Sequence, residues 1–220
     1  MPRTIAVMQP YLYPYGGYFR LLAASDTFVV LDDVQFVRRG RVHRCEVDAG
    51  SWLTLPLRHQ PRETLINELE FAPDARLSLD ERLATAGIPR HSADRDLAAV
   101  CGHLYGPLGS VVDFLEAGLR IVARALHLDV EIIRSSTLRT RDNLRGQARI
   151  ISIVSALGGA RYVNAPGGRE LYDPHAFGTA GIELKFLRDY SGGFRFLLPR
   201  LLSQGFTMLG REMQDARQEP

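Results

Sequence analysis

The chain has 220 residues, 45% of them apolar and 24% charged, with a formal net charge of +2. That length suits one substantial α/β domain spanning residues 1–220, and the ordinary composition excludes a disordered chain. So small a net charge argues against nucleic acid or an anionic membrane as partner, and no run approaches the roughly 18 apolar residues that span a bilayer.

Other global features narrow the expectation. Cys45 and Cys101 are too few for a disulfide framework and show no metal-ligand spacing. The start, Met1-Pro-Arg-Thr, lacks the apolar core of a signal peptide. A reduced, cytoplasmic protein without a bound metal is expected. Lys185 is the only lysine. A skew of that kind follows genomic base composition, so only the clustering of arginine carries weight.

In chain order, residues 4–8 form a short apolar strand, followed by "QPYLYPYGGYF" as a loop and by a helix over 17–24. "DTFVVLDD" (26–33) is a buried strand whose end is marked by two carboxylates. "SWLTLPL" and "TLINELEF" alternate as strands around a Pro- and charge-bearing turn, which suggests a hairpin. Helical patterns between 77 and 126 are interrupted by "GIPR" and "YGPLG", and residues 76–108 could form a helical insertion. "DVEIIRSS" (129–136) returns to strand, and 143–157 is an amphipathic helix ended by Gly158-Gly159. "RYVNAPGG" is a strand entering a glycine loop, 171–180 is irregular or helical, "IELKFL" is a strand, and a helical tail follows. Strands alternating with helices predict a mixed, partly parallel sheet flanked by helices, in a Rossmann-like arrangement.

In such a sheet ligands bind beyond the carboxyl ends of the strands, and three loops qualify. In the first, Gly16-Gly17 at a helix start offers backbone N–H groups to an anion. Tyr11, Tyr13 and Tyr15 offer flat faces with polar tips, and Gln9 can orient a ligand. The alternative is a Pro/Gly turn whose aromatics cover the sheet edge. In the second, Asp32 and Asp33 end a strand and Arg38, Arg39, Arg41, His43 and Arg44 follow. One carboxylate facing the site could anchor an amine or act as base, and the arginines could hold phosphate or carboxylate. The alternative is a solvated surface turn. Cys45 beside His43 is a candidate nucleophile or a buried bystander. In the third, "NAPGGRELY", Gly167-Gly168 lets backbone approach a ligand and Arg169 adds a cation. Ser135-Ser136 reads as a helix cap. His91, His103, His127 and His175 read as scattered surface or helix-end residues.

These segments together resemble the WbqC-like family, bacterial proteins of about this length met with polysaccharide or natural-product biosynthesis genes. "QPYLYPYGGYF" looks like the family's opening motif, and "SDTFVVLDDVQFVRR" like the stretch that follows it. "SWLTLPL", "LINELEF" and "ALGGARYVNAPGGRELYD" match later segments in order. The resemblance carries Gln9, Pro10, Pro14, Gly17, Tyr18, Asp32, Gln35, Arg39, Arg44, Asn67, Gly168 and Arg169 into the expected site, and Asn164 stands in the third loop. Leu12, Tyr15, Arg41 and Cys45 depart from the family pattern at positions expected to line that site, which implies a different substrate.

The resemblance implies a biosynthetic enzyme that acylates or aminoacylates a sugar or small metabolite. On the residues, Asp32 or Asp33 would be base or amine anchor, Gln9 the orienting group, and Tyr11 and Tyr13 the walls. The substrate would be a small anionic molecule, nucleotide-linked or carrier-bound. Two other readings stand. The element order is also that of nucleotidylyltransferase-like folds, which would bring ATP as cosubstrate. Those enzymes hold an α-phosphate with a histidine pair at the first helix, where this chain has Tyr15 and Tyr18. The last reading is a non-catalytic binder or pathway scaffold. The active-site reading predicts that Gln9, Asp32 or Asp33, Arg39 or Arg44, and Gly168 surround one pocket, and side chains scattered over opposite faces would favour the binder.

Overall fold

The structure, a computed structural model, describes residues 2–140 and 144–216. Strand β1 (Thr4–Met8) and strand β2 (Thr27–Val30) are buried almost throughout, as continuous apolar runs with both faces covered should be. With β5 (Glu131–Arg134), β6 (Arg161–Asn164) and β7 (Glu183–Phe186) they form one sheet in the order β5-β2-β1-β6-β7. Every pairing in it is parallel. The antiparallel pairing expected of a mixed sheet is confined to a separate hairpin of β3 (Arg44–Asp48) and β4 (Ser51–Thr54).

Alternation along the strands splits the core in two. Ile5, Val7, Val29 and Tyr162 enter one cluster, with Ile150, Ile153 and Val154 of α5 (Gly146–Ala156) and Phe177 of α6 (Pro174–Thr179). Ala6, Phe28, Val30 and Val163 enter the other, with α1 (Gly16–Ala23), α4 (Val111–Ala125) and α7 (Leu197–Ala216). The crossovers on the β2 side therefore pack one face, and those on the β6 side pack the other. This is the doubly wound, Rossmann-like arrangement, with its strand order reversing between β1 and β6. Helices α2 (Ala75–Thr85) and α3 (Arg95–Tyr105) occupy the region read as a helical insertion.

Two local expectations change. "SWLTLPL" forms its ladder with Arg44–Asp48 and meets "TLINELEF" in a single bridge, Leu57–Phe71, while Gln35–Leu65 is a second isolated bridge of the latter segment. The residues 66–68 between those bridges turn as a short 3₁₀ helix, which interrupts a ladder. The helix read over 143–157 spans Gly146–Ala156, and its expected first residue, 143, lies outside the described residues. No described helix is long and apolar enough to cross a membrane.

Candidate functional site

A cleft of about 480 Å³ opens at the carboxyl ends of β1 and β6, where the strand order reverses. Its walls are largely aromatic and aliphatic, with Tyr11, Tyr15, Tyr18 and Tyr172 among them, and Gln9, Asn164 and Arg41 supply polar groups. Tyr18 is buried and donates its phenolic O–H to the Gln9 carbonyl at 2.7 Å, which fixes the course of the chain as it leaves β1. The Tyr11 ring rests on it with centroids 5.4 Å apart. The hydroxyls of Tyr11 and Tyr15 and the side-chain amide of Gln9 make no hydrogen bond among the described residues. Burial raises the pKa of both phenols, opposed in each by the charge of Arg41, so they stay protonated and donate.

Asn164 is the polar floor. Its Oδ1 accepts the Ala165 N–H at 2.8 Å, which orients the amide and leaves Nδ2 as the group offered to the cleft. Gly168 must lack a side chain for this: a Cβ there would stand 2.3 Å from Asn164 Nδ2. Arg41 is exposed. Its guanidinium lies 5.3 Å from the Trp52 ring and 3.5 Å from Glu46, at the cleft rim.

Several predicted residues stand elsewhere. Asp32 is only 1% exposed and both its oxygens are occupied: Oδ1 by the Ser136 N–H at 3.0 Å, and Oδ2 by the Ser136 hydroxyl at 2.6 Å. The Ser135 hydroxyl lies 3.0 Å from Asp32 Oδ1 and 2.5 Å from Asp33 Oδ1 and accepts the Asp32 N–H, so one proton bridges the two carboxylates. Asp33 also pairs with Arg149 of α5. Neither aspartate lines the cleft. Ser135-Ser136, read as a helix cap, instead ties the end of β5 to the end of β2.

Tyr13 takes φ 36°, a left-handed conformation that turns its ring into the core. There its hydroxyl meets His103 Nδ1 at 2.8 Å, and His103 Nε2 meets the Phe114 carbonyl at 3.0 Å. A carbonyl accepts only, so Nε2 carries the proton and Nδ1 accepts from Tyr13. His103 also stacks on Phe114, so it is a core residue at a helix end rather than a surface one. Burial holds its pKa down at about 4. Leu12, expected at the site, is buried too.

The start of α1 is partly closed by its neighbours. The Gly16 N–H donates to the Phe194 carbonyl at 2.8 Å, and Tyr190 covers the turn. Cβ atoms at Gly16 and Gly17 would come within 2.3 Å of Tyr190 Oη and Tyr15 Cε2, so these glycines serve ring packing. Arg44 stacks over Trp52 at 4.2 Å and donates to the Gly40 and Arg39 carbonyls, bracing the 39–44 turn. Arg39 and Gln35 are exposed, and Gln35 donates to the Arg62 carbonyl. Asn67 donates its backbone N–H to the Asp32 carbonyl at 2.9 Å. Arg169 lies beside Phe186 and the Leu187 carbonyl. Cys45 faces the core at 5% exposure, and burial pushes its thiol up to about 12, far from the thiolate a nucleophile needs.

The cleft thus gathers Gln9, Tyr11, Tyr18, Asn164 and Gly168 of the expected residues, with Tyr15 and Arg41 of the expected departures. Sequence reasoning passed over Tyr172, although it ends the third loop and its ring stacks edge-on against buried Tyr162. Among the described residues no three His, Cys, Asp or Glu side chains group as metal ligands.

Comparison with known proteins agrees with the motifs. The pattern of the WbqC-like protein family matches residues 9–192. The chain is also similar to the uncharacterized protein Rv1507c of Mycobacterium tuberculosis, 24% identical over 199 residues that cover 86% of this chain and 84% of that one. No solved structure matches it.

Proposed function

We propose a function from the premise that the chain belongs to the WbqC-like protein family. It binds a sugar or natural-product intermediate bearing one anionic group in the β1/β6 cleft. There it transfers or ligates an acyl or aminoacyl group to an amine or hydroxyl of that molecule. The observation that carries this reading is the cleft at the reversal of the strand order, walled by tyrosines and furnished with unengaged donors at Gln9, Tyr11 and Tyr15. Ring faces suit a sugar or planar group, the amides suit its hydroxyls, and Arg41 suits its anion.

Neutral donors also suit the negative charge that builds on an acyl oxygen during transfer. No carboxylate and no imidazole lines the cleft among the described residues. The attacking amine therefore enters unprotonated, and turnover rises with pH until the substrate amine has lost its proton. The same lack of a base favours, as second reading, a binder without catalysis. A phosphate-first, adenylate-forming reading finds less support, because the α1 N-terminus is partly closed by Phe194 and Tyr190.

The test is calorimetry with sugar phosphates, nucleotide sugars and acyl thioesters, followed by mass spectrometry of the products. Arg41→Ala should weaken the best anionic ligand about tenfold, and Cys45→Ser should leave turnover intact. Binding without turnover would select the binder, and equal affinity in wild type and Arg41→Ala would remove the cleft from consideration.

A further inference from the structure

The basic run 38–44 divides between two hollows. Arg41 borders the β1/β6 cleft, whereas Arg38 and His43 line a second hollow of about 460 Å³, which shares no lining residue with the first. This hollow lies between the run, the segment leaving β4, and one face of α2, which contributes Arg82. Arg58 and Gln60 come from the segment after β4. Asp74 is its one lining carboxylate among the described residues, and Glu70 pairs with Arg58 from outside it at 2.7 Å. Three guanidinium groups against two carboxylates leave one positive charge in excess.

The polar groups here are fixed in place but incompletely matched. Arg38 donates to the Gln60 carbonyl, and Arg82 to the Thr54 carbonyl at 2.6 Å. The His43 carbonyl accepts the Leu55 N–H at 2.7 Å, and its ring packs edge-on against Phe36. Yet His43 Nδ1 and Gln60 Nε2 are buried without a hydrogen-bond partner among the described residues. Buried polar atoms are rarely left so, and two in the wall of one hollow point to a missing partner. Burial and the charge of Arg44 hold His43 at a pKa of about 4, so near neutral pH it meets a ligand as a hydrogen-bonding group rather than as a cation.

We infer that this second hollow binds a small oxyanion, a carboxylate or phosphate group, between Arg38 and Arg82 with Gln60 as neutral donor. Phe36, Leu55 and Leu57 then cover the apolar part of the molecule that carries it. Guanidinium forks match either oxyanion, so the chemistry is shared and the experiment separates the sources.

Histidine-labelled protein is titrated near neutral pH with orthophosphate or with acetate, at ionic strength held constant with chloride. The ring nitrogens of His43, assigned by their loss in His43→Asn, are followed by NMR. The expected result is a saturable shift with half-saturation below about 10 mM in at least one titration. Orthophosphate alone would identify a phosphate ester as the ligand type, and acetate alone a carboxylate. Arg38→Gln should weaken binding about tenfold, and Arg41→Gln should leave it unchanged. Arg82→Gln should weaken it by a similar factor, and if that variant unfolds through loss of its bond to the Thr54 carbonyl, Arg38→Gln alone decides. Shifts that rise linearly, or equally with chloride, would show a solvent-filled hollow and overturn the inference. An unchanged affinity in Arg38→Gln would overturn it as well.

Discussion

The ends of β1 and β2 lie side by side on one edge of the sheet, with Met8 opposite Val30; β1 runs directly into Gln9, and β2 reaches Asp32 after Leu31. After β2, the carboxylates of Asp32 and Asp33 are consumed by Ser135, Ser136 and Arg149, binding the β2 end to the β5 end and to α5. After β1, Gln9, Tyr11 and Tyr15 keep their polar groups unengaged and face a cleft. A polar side chain at a strand's carboxyl end can recognise a ligand only while its hydrogen-bonding capacity is open. Position on the sheet edge supplies the opportunity, and neighbouring donors decide whether it survives.

The sharpest test of this contrast is Asp32→Ala. It leaves the Ser136 N–H and two hydroxyls facing a buried gap, and should lower the unfolding free energy by about 3 kcal/mol in urea denaturation. Unchanged stability would mean that the Asp32 network is not what holds β2 to β5.

A second test compares engaged with unengaged tyrosines. Tyr13 serves half-buried, neutral His103, whose pKa of about 4 lies below the ordinary 6.5. Between those values the unfolded chain binds the proton more readily. Stability is therefore full above about 6.5 and falls as pH drops towards 4, by about 2 kcal/mol after allowing for partial solvent access. His43 acts in the same direction. Thermal melts across that range should show the slope, and His103→Gln should flatten it; an equal slope in the variant would place the titration elsewhere.

The third substitution acts on the cleft side. Gly168→Ala pushes a methyl against Asn164 Nδ2 and should cost roughly 1–2 kcal/mol of stability while turning the amide away from the ligand. Loss of affinity larger than the loss of stability would mark Asn164 as a recognition group, and unaltered affinity would make it scaffolding.

Much of this was legible in the sequence. Fully buried runs such as "TIAVM" and "TFVV" announce central parallel strands, and Gln9, Asn164 and Gly168 sit where such strands end. The choice among arginines was not legible, because residues 34–43 form no regular element and have no period to say which way Arg38, Arg39 and Arg41 point. The φ of 36° at Tyr13 likewise removes one ring from a run of tyrosines that looks uniform. Nothing in "SS" at 135–136 reveals that it meets carboxylates a hundred residues earlier, since only the β2–β5 pairing brings them together.

Helix α7 breaks at Gly205, and beyond the break Glu212 reaches back to the 190–194 turn. It accepts the Tyr190 hydroxyl at 2.6 Å and the Gly193 N–H at 2.9 Å, and Tyr190 is the ring that lies over Gly16 and Gly17. During synthesis the tyrosine loop emerges about 200 residues before Glu212, which secures its cover. At about 5–20 residues per second that interval is roughly 10–40 s. Until it ends, the first loop is a ring-lined turn without its lid, and the nascent chain carries those rings uncovered for the whole of that interval.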